Sequence, residues 1–274
     1  MLARCEGVVG INIGFIGVGN MASAIIPAVM QLGFDVFLHR KDPQKPLSFE
    51  NSDKTIMCVS AQQLCEQCDM IFLAVKPQTL PEIVKEIKQS AQGKCIVSIA
   101  AGVTSATLAK WLPGADIIRV MPNTPITMGF GATAVARPEK LSNQALLDTV
   151  INIFSSRGIC VIIDENKINE MTAISGSSPA YFFYIIKVMV ENAVHMGIDK
   201  QDAINMAAQS MLGSAQMLLN GEKNAEQLIK QVCSPGGTTL AALDVFDQSG
   251  LSATIYKAMK ACTDRAYELG RGPD

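Results

Sequence analysis

Residues 14–22 read Gly-Phe-Ile-Gly-Val-Gly-Asn-Met-Ala, and this stretch decides the fold. It contains the pattern G-x-G-x-x-A, which follows an apolar run of strand character and opens a segment of helical character. Gly17 permits a tight turn, Gly19 lets the backbone approach a bound group closely, and the small Ala22 lets the helix pack against the strand. In this context the pattern predicts a nucleotide-binding βαβ unit, with a purely structural strand-turn-helix as the alternative.

Strand-like and helix-like segments alternate through the first half of the chain. Near-continuous apolar strands that alternate with helices predict a doubly wound parallel sheet, and we therefore expect an α/β domain of Rossmann type over residues 11–164. The strand-like runs are 11–16, 34–38, 55–59, 70–75, 95–99 and 117–121, with 132–136 and 158–163 expected to extend the sheet at its edge.

After Asp164 the pattern changes to helical periodicity, which predicts an all-α domain over residues 165–274. Its helix-like segments are 168–174, 180–196, 201–219, 225–232, 239–246 and 252–269. These segments are rich in Ala, Met, Ile and Leu and carry few charges. We therefore expect the domain to cover its apolar surface against a second subunit.

Composition excludes several classes of protein. The 274 residues are 49% hydrophobic, which excludes a disordered chain, and 23 basic against 25 acidic residues argue against a nucleic-acid binder. Residues 16–34 lack charges, but their glycines and proline fit a strand, a turn and a buried helix better than a membrane span. Without a convincing secretory signal, we expect a cytoplasmic protein without a membrane anchor.

Metal binding and disulfide bonds are not expected either. The eight cysteines have scattered spacings, and only Cys65 and Cys68 form a C-x-x-C pair. Two histidines, His39 and His195, cannot complete a zinc set around that pair. We expect reduced thiols and no metal.

The second predicted strand is followed by a basic turn, Leu38-His39-Arg40-Lys41, about 20 residues after the glycines. An NAD-selective site would place Asp or Glu there, whereas His39, Arg40 and Lys41 match a 2′-phosphate. NADPH is therefore favoured, NADH stays open, and a solvated basic turn is the alternative. The other residues expected at the cofactor lie at the helix start and at three further strand ends: Asn20, Met21, Ala74, Val75, Lys76, Pro77, Ala100, Ala101, Gly102 and Asn123.

From about Ile13 to Glu268 the chain resembles the pyrroline-5-carboxylate reductase family. The resemblance is carried by GFIGVGNMA (14–22), AVKPQ (74–78), SIAAGV (98–103), RVMPNTP (119–125), ISGSSPAYFF (174–183) and CSPGGTTLAAL (233–243). It implies hydride transfer from NAD(P)H to the C=N bond of 1-pyrroline-5-carboxylate, which gives L-proline in the last step of proline biosynthesis. It also implies a homodimer, often assembled further, with the active site at the interface. Ser178 and the basic turn depart from the family's usual residues.

The loop from Ser234 to Thr239 suits a small carboxylate, because its glycines expose amide groups and a helix begins behind it. A linking turn with Ser or Thr capping is the alternative. By the resemblance, Thr239 hydrogen-bonds the imine nitrogen and assists its protonation. The residues that would frame the substrate carboxylate are Ser234, Gly236, Gly237 and Thr238.

Three residues outside the loop are further candidates. The resemblance matches Glu165 and Glu222 to acidic positions that organise the substrate loop, and it places Ser177 near the substrate. Without the resemblance, the sequence predicts that the two glutamates are ordinary surface residues and that Ser177 belongs to a turn at the start of a helix. A β-hydroxyacid dehydrogenase of the same plan would carry a lysine in residues 177–186, where none occurs. A non-catalytic nucleotide-binding relative is the other alternative.

Overall fold

The structure is a computed structural model that describes residues 10–42 and 53–270. The described residues form two compact units, one that runs to Ser177 and resumes at Cys262, and one of Ser178–Ala261. The expected domain boundary after Asp164 was drawn from the sequence pattern, and it stays a prediction. The expectations for Cys5 and for the first nine residues lie outside the described residues; the seven described cysteines are free.

One eight-stranded sheet forms the centre of the first unit. Its strands are β1 (Ile13–Ile16), β2 (Val36–His39), β3 (Thr55–Met57), β4 (Met70–Leu73), β5 (Cys95–Ser98), β6 (Asp116–Met121), β7 (Gly131–Ala136) and β8 (Gly158–Ile163). Along the sheet the order is β3-β2-β1-β4-β5-β6-β7-β8. The pairings among strands β1 to β6 are all parallel. This confirms the predicted doubly wound sheet and its extension by two edge strands.

Strand β7 is the exception, since it runs antiparallel to β6. The connection from Met121 to Gly131 contains only a short 3-10 turn, Thr124–Met128. Parallel neighbours need a crossover of about a dozen residues or more, so this connection permits only the antiparallel arrangement. Strand β8 is again parallel to β7, because a helix connects the two.

Helices cover both faces of the sheet. They are α1 (Asn20–Gln31), α2 (Ala61–Gln67), α3 (Leu80–Ile87), α4 (Ser105–Trp111) and α5 (Gln144–Ser155). One buried core joins α1 and α5 to the sheet and contains the stacked rings of Phe15 and Phe72, with centroids 4.5 Å apart. The other joins α2, α3 and α4 to the opposite face. Burial on both faces explains why the strands are continuously apolar.

The described residues from Glu165 to Gly270 form mainly helices, as predicted. A 3-10 turn (Glu165–Lys167), α6 (Ile168–Met171) and a π-helical turn (Thr172–Gly176) precede α7 (Ser178–His195), α8 (Lys200–Asn220), α9 (Ala225–Val232), α10 (Thr238–Gln248) and α11 (Leu251–Gly270). By length and composition alone, Glu165–His195 passes as a segment that could cross a membrane, with a mean hydropathy of 1.2 over an 18-residue window. Its first part is a series of short turns rather than one continuous α-helix.

Candidate functional site

A cleft of about 920 Å³ lies where β1, β2, β3 and β4 end. In an open parallel sheet, ligands bind at the carboxyl ends of the strands where the strand order reverses, and β1 and β4 are the strands at that point. Of the residues predicted to bind the cofactor, the cleft brings together Gly17, His39, Arg40, Lys41, Ala74, Val75 and Lys76.

The turn after β1 depends on Gly17. Its φ of +90° is a conformation that L-residues with a side chain rarely adopt. A Cβ there would lie 2.8 Å from the carbonyl oxygen of Ala74 and 2.7 Å from a methyl group of Val75. The Gly17 amide donates to the carbonyl oxygen of His39 at 2.8 Å. Gly17 therefore holds the ends of three strands together.

Gly19 differs, because space is open beside it. A Cβ on Gly19 would meet nothing within 4 Å among the described residues. Gly19 precedes α1 in an extended conformation, and none of the described side chains caps the helix. The first amide groups of α1, from Asn20 onward, and the positive end of its dipole are then available to an anion. This arrangement fits the pyrophosphate of a dinucleotide.

The basic turn predicted after β2 forms one wall of the cleft. The position next to Ile16, where an NAD-selective site would carry an acid, is occupied by His39. Its Nδ1 atom lies 3.3 Å from the carbonyl oxygen of Cys58. Two carboxylates, Asp42 and Glu82, line the cleft further along.

Sequence reasoning missed part of this cleft. The lining residues that it did not assign to the cofactor are Ile16, Val18, Asp42, Met57, Cys58, Val59, Thr79, Glu82 and Ile83. Ligands bind at the carboxyl ends of parallel strands, and the sequence analysis applied this rule to β4, β5 and β6. Applied to β3 as well, the same rule would have identified Cys58 and Val59. Burial raises the pKa of the Cys58 thiol, which keeps it neutral.

Two of the other predicted cofactor residues have structural roles. Gly102 has a φ of +83°, and a Cβ on it would lie 2.6 Å from the carbonyl oxygen of Ala266 in α11. The buried Asn123 donates to the Ser175 carbonyl at 3.0 Å and accepts from the Ala132 amide at 2.9 Å. Both residues therefore fix the backbone near the sheet edge.

The remaining predicted cofactor residues are dispersed along the same edge. Asn20, Met21 and Ala22 form the first turn of α1, and Ala100 and Ala101 follow β5. Pro77 lines a second pocket, of about 700 Å³, together with Trp111. Contact of these residues with a cofactor stays a prediction.

Glu165 belongs to a partly buried hydrogen-bond network. Its carboxylate accepts from the amide of Ser105 at 3.1 Å and from the hydroxyl of Ser105 at 2.9 Å, at the start of α4. It also pairs with the buried Arg119 at 2.9 Å, and Arg119 donates to Asn169 at 2.8 Å. Glu165 therefore joins β6, α4 and α6, and its role in organising the substrate loop stays a prediction.

The predicted substrate loop connects α9 to α10 in the second unit. Gly236 has a φ of +70°, and the Gly237 amide donates to the carbonyl of Ser234 at 3.0 Å. Gly237 precedes α10, and no side chain among the described residues caps that helix. Thr238 and Thr239 are its first two residues. The first amide groups of α10 are thus available to a carboxylate.

Ser177 and Glu222 lie apart from this loop in the chain. The hydroxyl of Ser177 accepts from the thiol of Cys262 at 3.2 Å, within the first unit. Glu222 is exposed in the turn between α8 and α9. Their proximity to a substrate stays a prediction. Among the described residues, no group of three or more His, Cys, Asp or Glu side chains is placed to hold a metal ion.

Family models match both halves of the chain. The model described as pyrroline-5-carboxylate reductase dimerisation matches residues 165–269, and the one described as NADP oxidoreductase coenzyme F420-dependent matches residues 12–102. Among curated relatives, the pyrroline-5-carboxylate reductase of Escherichia coli K12 is 37% identical, and the match covers 95% of this chain and 98% of the relative. The reductase of Methanosarcina acetivorans is 33% identical with the same coverage.

Solved structures agree with these matches. A Plasmodium falciparum pyrroline carboxylate reductase with NADP bound has a TM-score of 0.87 and 27% identity, and the match covers 96% of this chain and all of the other. A 1-pyrroline-5-carboxylate reductase from Streptococcus pyogenes has a TM-score of 0.86 and 31% identity, with 94% of this chain and 98% of the other covered. A prephenate dehydrogenase from A. aeolicus, 12% identical with a TM-score of 0.53, shares the fold alone.

Proposed function

The chain belongs to the pyrroline-5-carboxylate reductase family, and on that premise we propose that it reduces 1-pyrroline-5-carboxylate to L-proline with NADPH as the hydride donor. The observation that carries the proposal is the similarity over 95% of the chain to the Escherichia coli reductase. That similarity spans the cleft in the first unit and the loop 234–239 in the second. A prephenate dehydrogenase also aligns over 96% of the chain, but at 12% identity it shares the fold alone.

The cleft supports a nicotinamide dinucleotide as the cofactor. Open space beside Gly19 and the uncapped start of α1 suit the pyrophosphate. The basic turn His39, Arg40 and Lys41 suits a 2′-phosphate, which favours NADPH over NADH. The NADP bound to the Plasmodium falciparum relative supports the same choice.

In the proposed reaction the bound cofactor supplies a hydride to the carbon of the C=N bond. The first amide groups of α10, beginning with that of Thr238, hold the substrate carboxylate. The hydroxyl of Thr239 hydrogen-bonds the imine nitrogen and assists its protonation. Because the cofactor supplies the reducing equivalents, the protein's contribution is to orient the imine and to exclude water.

We also propose a cytoplasmic homodimer with the active site at the subunit interface. In the second unit only Ser178, Pro179, Val190 and Ala203 are buried. Large apolar side chains on its helices are exposed, including Phe183 at 66% and Met206 at 69%. A second copy of the chain would cover this surface. The match to a family model for dimerisation supports this assembly.

The reaction is tested by following NADPH absorbance after 1-pyrroline-5-carboxylate is added, with NADH in a parallel cuvette. Rapid, substrate-dependent oxidation of NADPH is expected, with slower oxidation of NADH. Oxidation led by NADH would keep the reaction and reject the cofactor preference. A folded protein that binds NADPH but oxidises none of it would reject the reaction and favour a non-catalytic relative.

A further inference from the structure

A buried arginine lies towards the carboxyl end of β6. Arg119 is 2% exposed and pairs in register with Ser98, the last residue of β5. Its two terminal nitrogens donate to acceptors on two different elements, Nη1 to the Glu165 carboxylate at 2.9 Å and Nη2 to the Asn169 side-chain oxygen at 2.8 Å. A buried ion pair adds little net stability compared with apolar side chains of similar volume, so stability alone does not explain a charge at this position.

Glu165 transmits the constraint to the start of α4. Its Oε1 atom accepts from the Ser105 amide at 3.1 Å, and its Oε2 atom accepts from the Ser105 hydroxyl at 2.9 Å. Ser105 is the first residue of α4. Because Arg119 donates to the same Oε1 atom, the carboxylate cannot turn away without breaking a charge-assisted hydrogen bond. Arg119 therefore fixes, through Glu165, the point at which α4 begins.

Residues 99–104, the β5–α4 loop, are thereby held along their whole length. At the first end the Ile99 amide donates to the carbonyl of Leu73 in β4 at 3.3 Å. In the middle, Gly102 packs so closely against the backbone of α11 that a Cβ would not fit. At the second end Ser105 is fixed by the ion pair. The backbone of this loop is therefore placed accurately rather than left free to move.

The β5–α4 loop lies on the side of the cleft where the nicotinamide is expected. The basic turn after β2 suits the 2′-phosphate and the start of α1 suits the pyrophosphate, so the nicotinamide half extends in the opposite direction, over β4 and β5. Adjacent strands are about 4.8 Å apart, which puts the end of β5 about 10 Å from β1. A ribose and a nicotinamide ring span such a distance.

We propose that Arg119 is a positioning residue for hydride transfer, which holds the β5–α4 loop against the nicotinamide through Glu165 and so sets the ring relative to the imine. This inference rests on the proposed function. Arg119 acts at one remove from the cofactor, so binding of the pyrophosphate and the 2′-phosphate should not depend on it. The rate of hydride transfer should depend on it, because a misplacement of about 1 Å can cost about 100-fold in rate.

Two substitutions loosen the loop to different degrees. Arg119→Lys keeps the charge, but a single ammonium group cannot replace the planar fork that reaches two acceptors. Ser105→Ala leaves the ion pair and removes only the hydroxyl that donates to Glu165, so it tests the same link if Arg119→Lys fails to fold. The matched control is Ser156→Ala, which also removes a part-buried hydroxyl, one that donates to the Ile153 carbonyl at 2.8 Å after α5.

The test separates the rate of hydride transfer from cofactor binding and from stability. For each protein, kcat and KM are measured with 1-pyrroline-5-carboxylate and NADPH, and kcat is measured again with NADPH deuterated at C4 of the nicotinamide. Calorimetric titration gives Kd for NADP⁺, and thermal unfolding gives Tm. A role in stability alone would lower Tm and leave kcat and the isotope effect of the folded protein unchanged.

Arg119→Lys is expected to lower kcat at least about tenfold and Ser105→Ala about threefold, each with a larger isotope effect because hydride transfer then limits the rate. Kd for NADP⁺ should change by less than about twofold in both, and Ser156→Ala should match the wild type. An unchanged kcat in Ser105→Ala would overturn this inference alone, and so would a weakening of NADP⁺ binding as large as the fall in kcat. A wild-type protein that binds NADPH but does not oxidise it would overturn the proposed function instead.

Discussion

The two glycines of the nucleotide turn should respond differently to the same substitution. In Gly19→Ala the new methyl group enters space that the described protein atoms leave open. In Gly17→Ala it approaches the Ala74 carbonyl oxygen at 2.8 Å, on a backbone with a φ of +90°. The first substitution should therefore weaken nucleotide binding without unfolding the protein, and the second should impair both nucleotide binding and stability.

The magnitudes follow from these contacts. Gly19 has a φ of −87°, which alanine adopts freely, so the free energy of unfolding should change by less than about 1 kcal/mol. For Gly17→Ala, the positive φ costs about 1–2 kcal/mol and the backbone clash adds to it. A total above about 2 kcal/mol would lower Tm by about 4–8 °C. In Gly19→Ala the methyl group keeps the phosphate away from the helix amides, and Kd for NADP⁺ should rise about 100-fold, or ~2.7 kcal/mol.

Thermal unfolding without ligand and calorimetric titration with NADP⁺ measure the two effects separately. Equal destabilisation by both substitutions would show that Gly19 has a structural role. A Gly19→Ala protein that binds NADP⁺ as the wild type does would refute the assignment of the pyrophosphate to this turn. Either result would contradict the inference that the space beside Gly19 is left for the cofactor, whereas the space beside Gly17 is filled by the protein.

Two further substitutions test the rest of the site. Thr239→Val removes a hydroxyl at nearly constant volume, and it should lower kcat by at least tenfold while the Kd for NADP⁺ is unchanged; loss of NADP⁺ binding would show that Thr239 acts elsewhere. Glu165→Ala leaves the buried Arg119 without its carboxylate, and the free energy of unfolding in urea should fall by about 2–3 kcal/mol. Its control, Asp164→Ala, removes an exposed partner of Arg137 and should change stability by less than about 0.5 kcal/mol; equal effects would mean that the Glu165 network contributes nothing.

Most of the fold was predictable because its signals are local. Residues 14–22 predict a strand, a tight turn and a helix. The other strands are apolar throughout because both faces of the sheet are buried. The antiparallel pairing of β7 was missed, since residue type does not encode strand direction. The short connection before Gly131 was the available signal. The start of α4 also carries a local signal, because Thr104 accepts from the amide of Thr107 as an N-cap residue does.

The site was predictable only where one segment carries its residues. The glycine turn and the basic turn are contiguous in sequence, and a general rule brings their strand ends together. Glu165 reads as an ordinary surface residue, because its partners Ser105 and Arg119 are distant in sequence and meet it only in the folded chain. The contact between His39 and the carbonyl of Cys58 likewise depends on the pairing of β2 with β3.

The most direct test of the proposed reaction is to trace the hydride. The protein is incubated with 1-pyrroline-5-carboxylate and NADPH that carries two deuterium atoms at C4 of the nicotinamide, and the product is analysed by mass spectrometry and on a chiral column. The proposed reaction gives L-proline with one deuterium, on the carbon of the former C=N bond. Proline without deuterium, or NADPH oxidised without proline, would contradict direct hydride transfer to the imine.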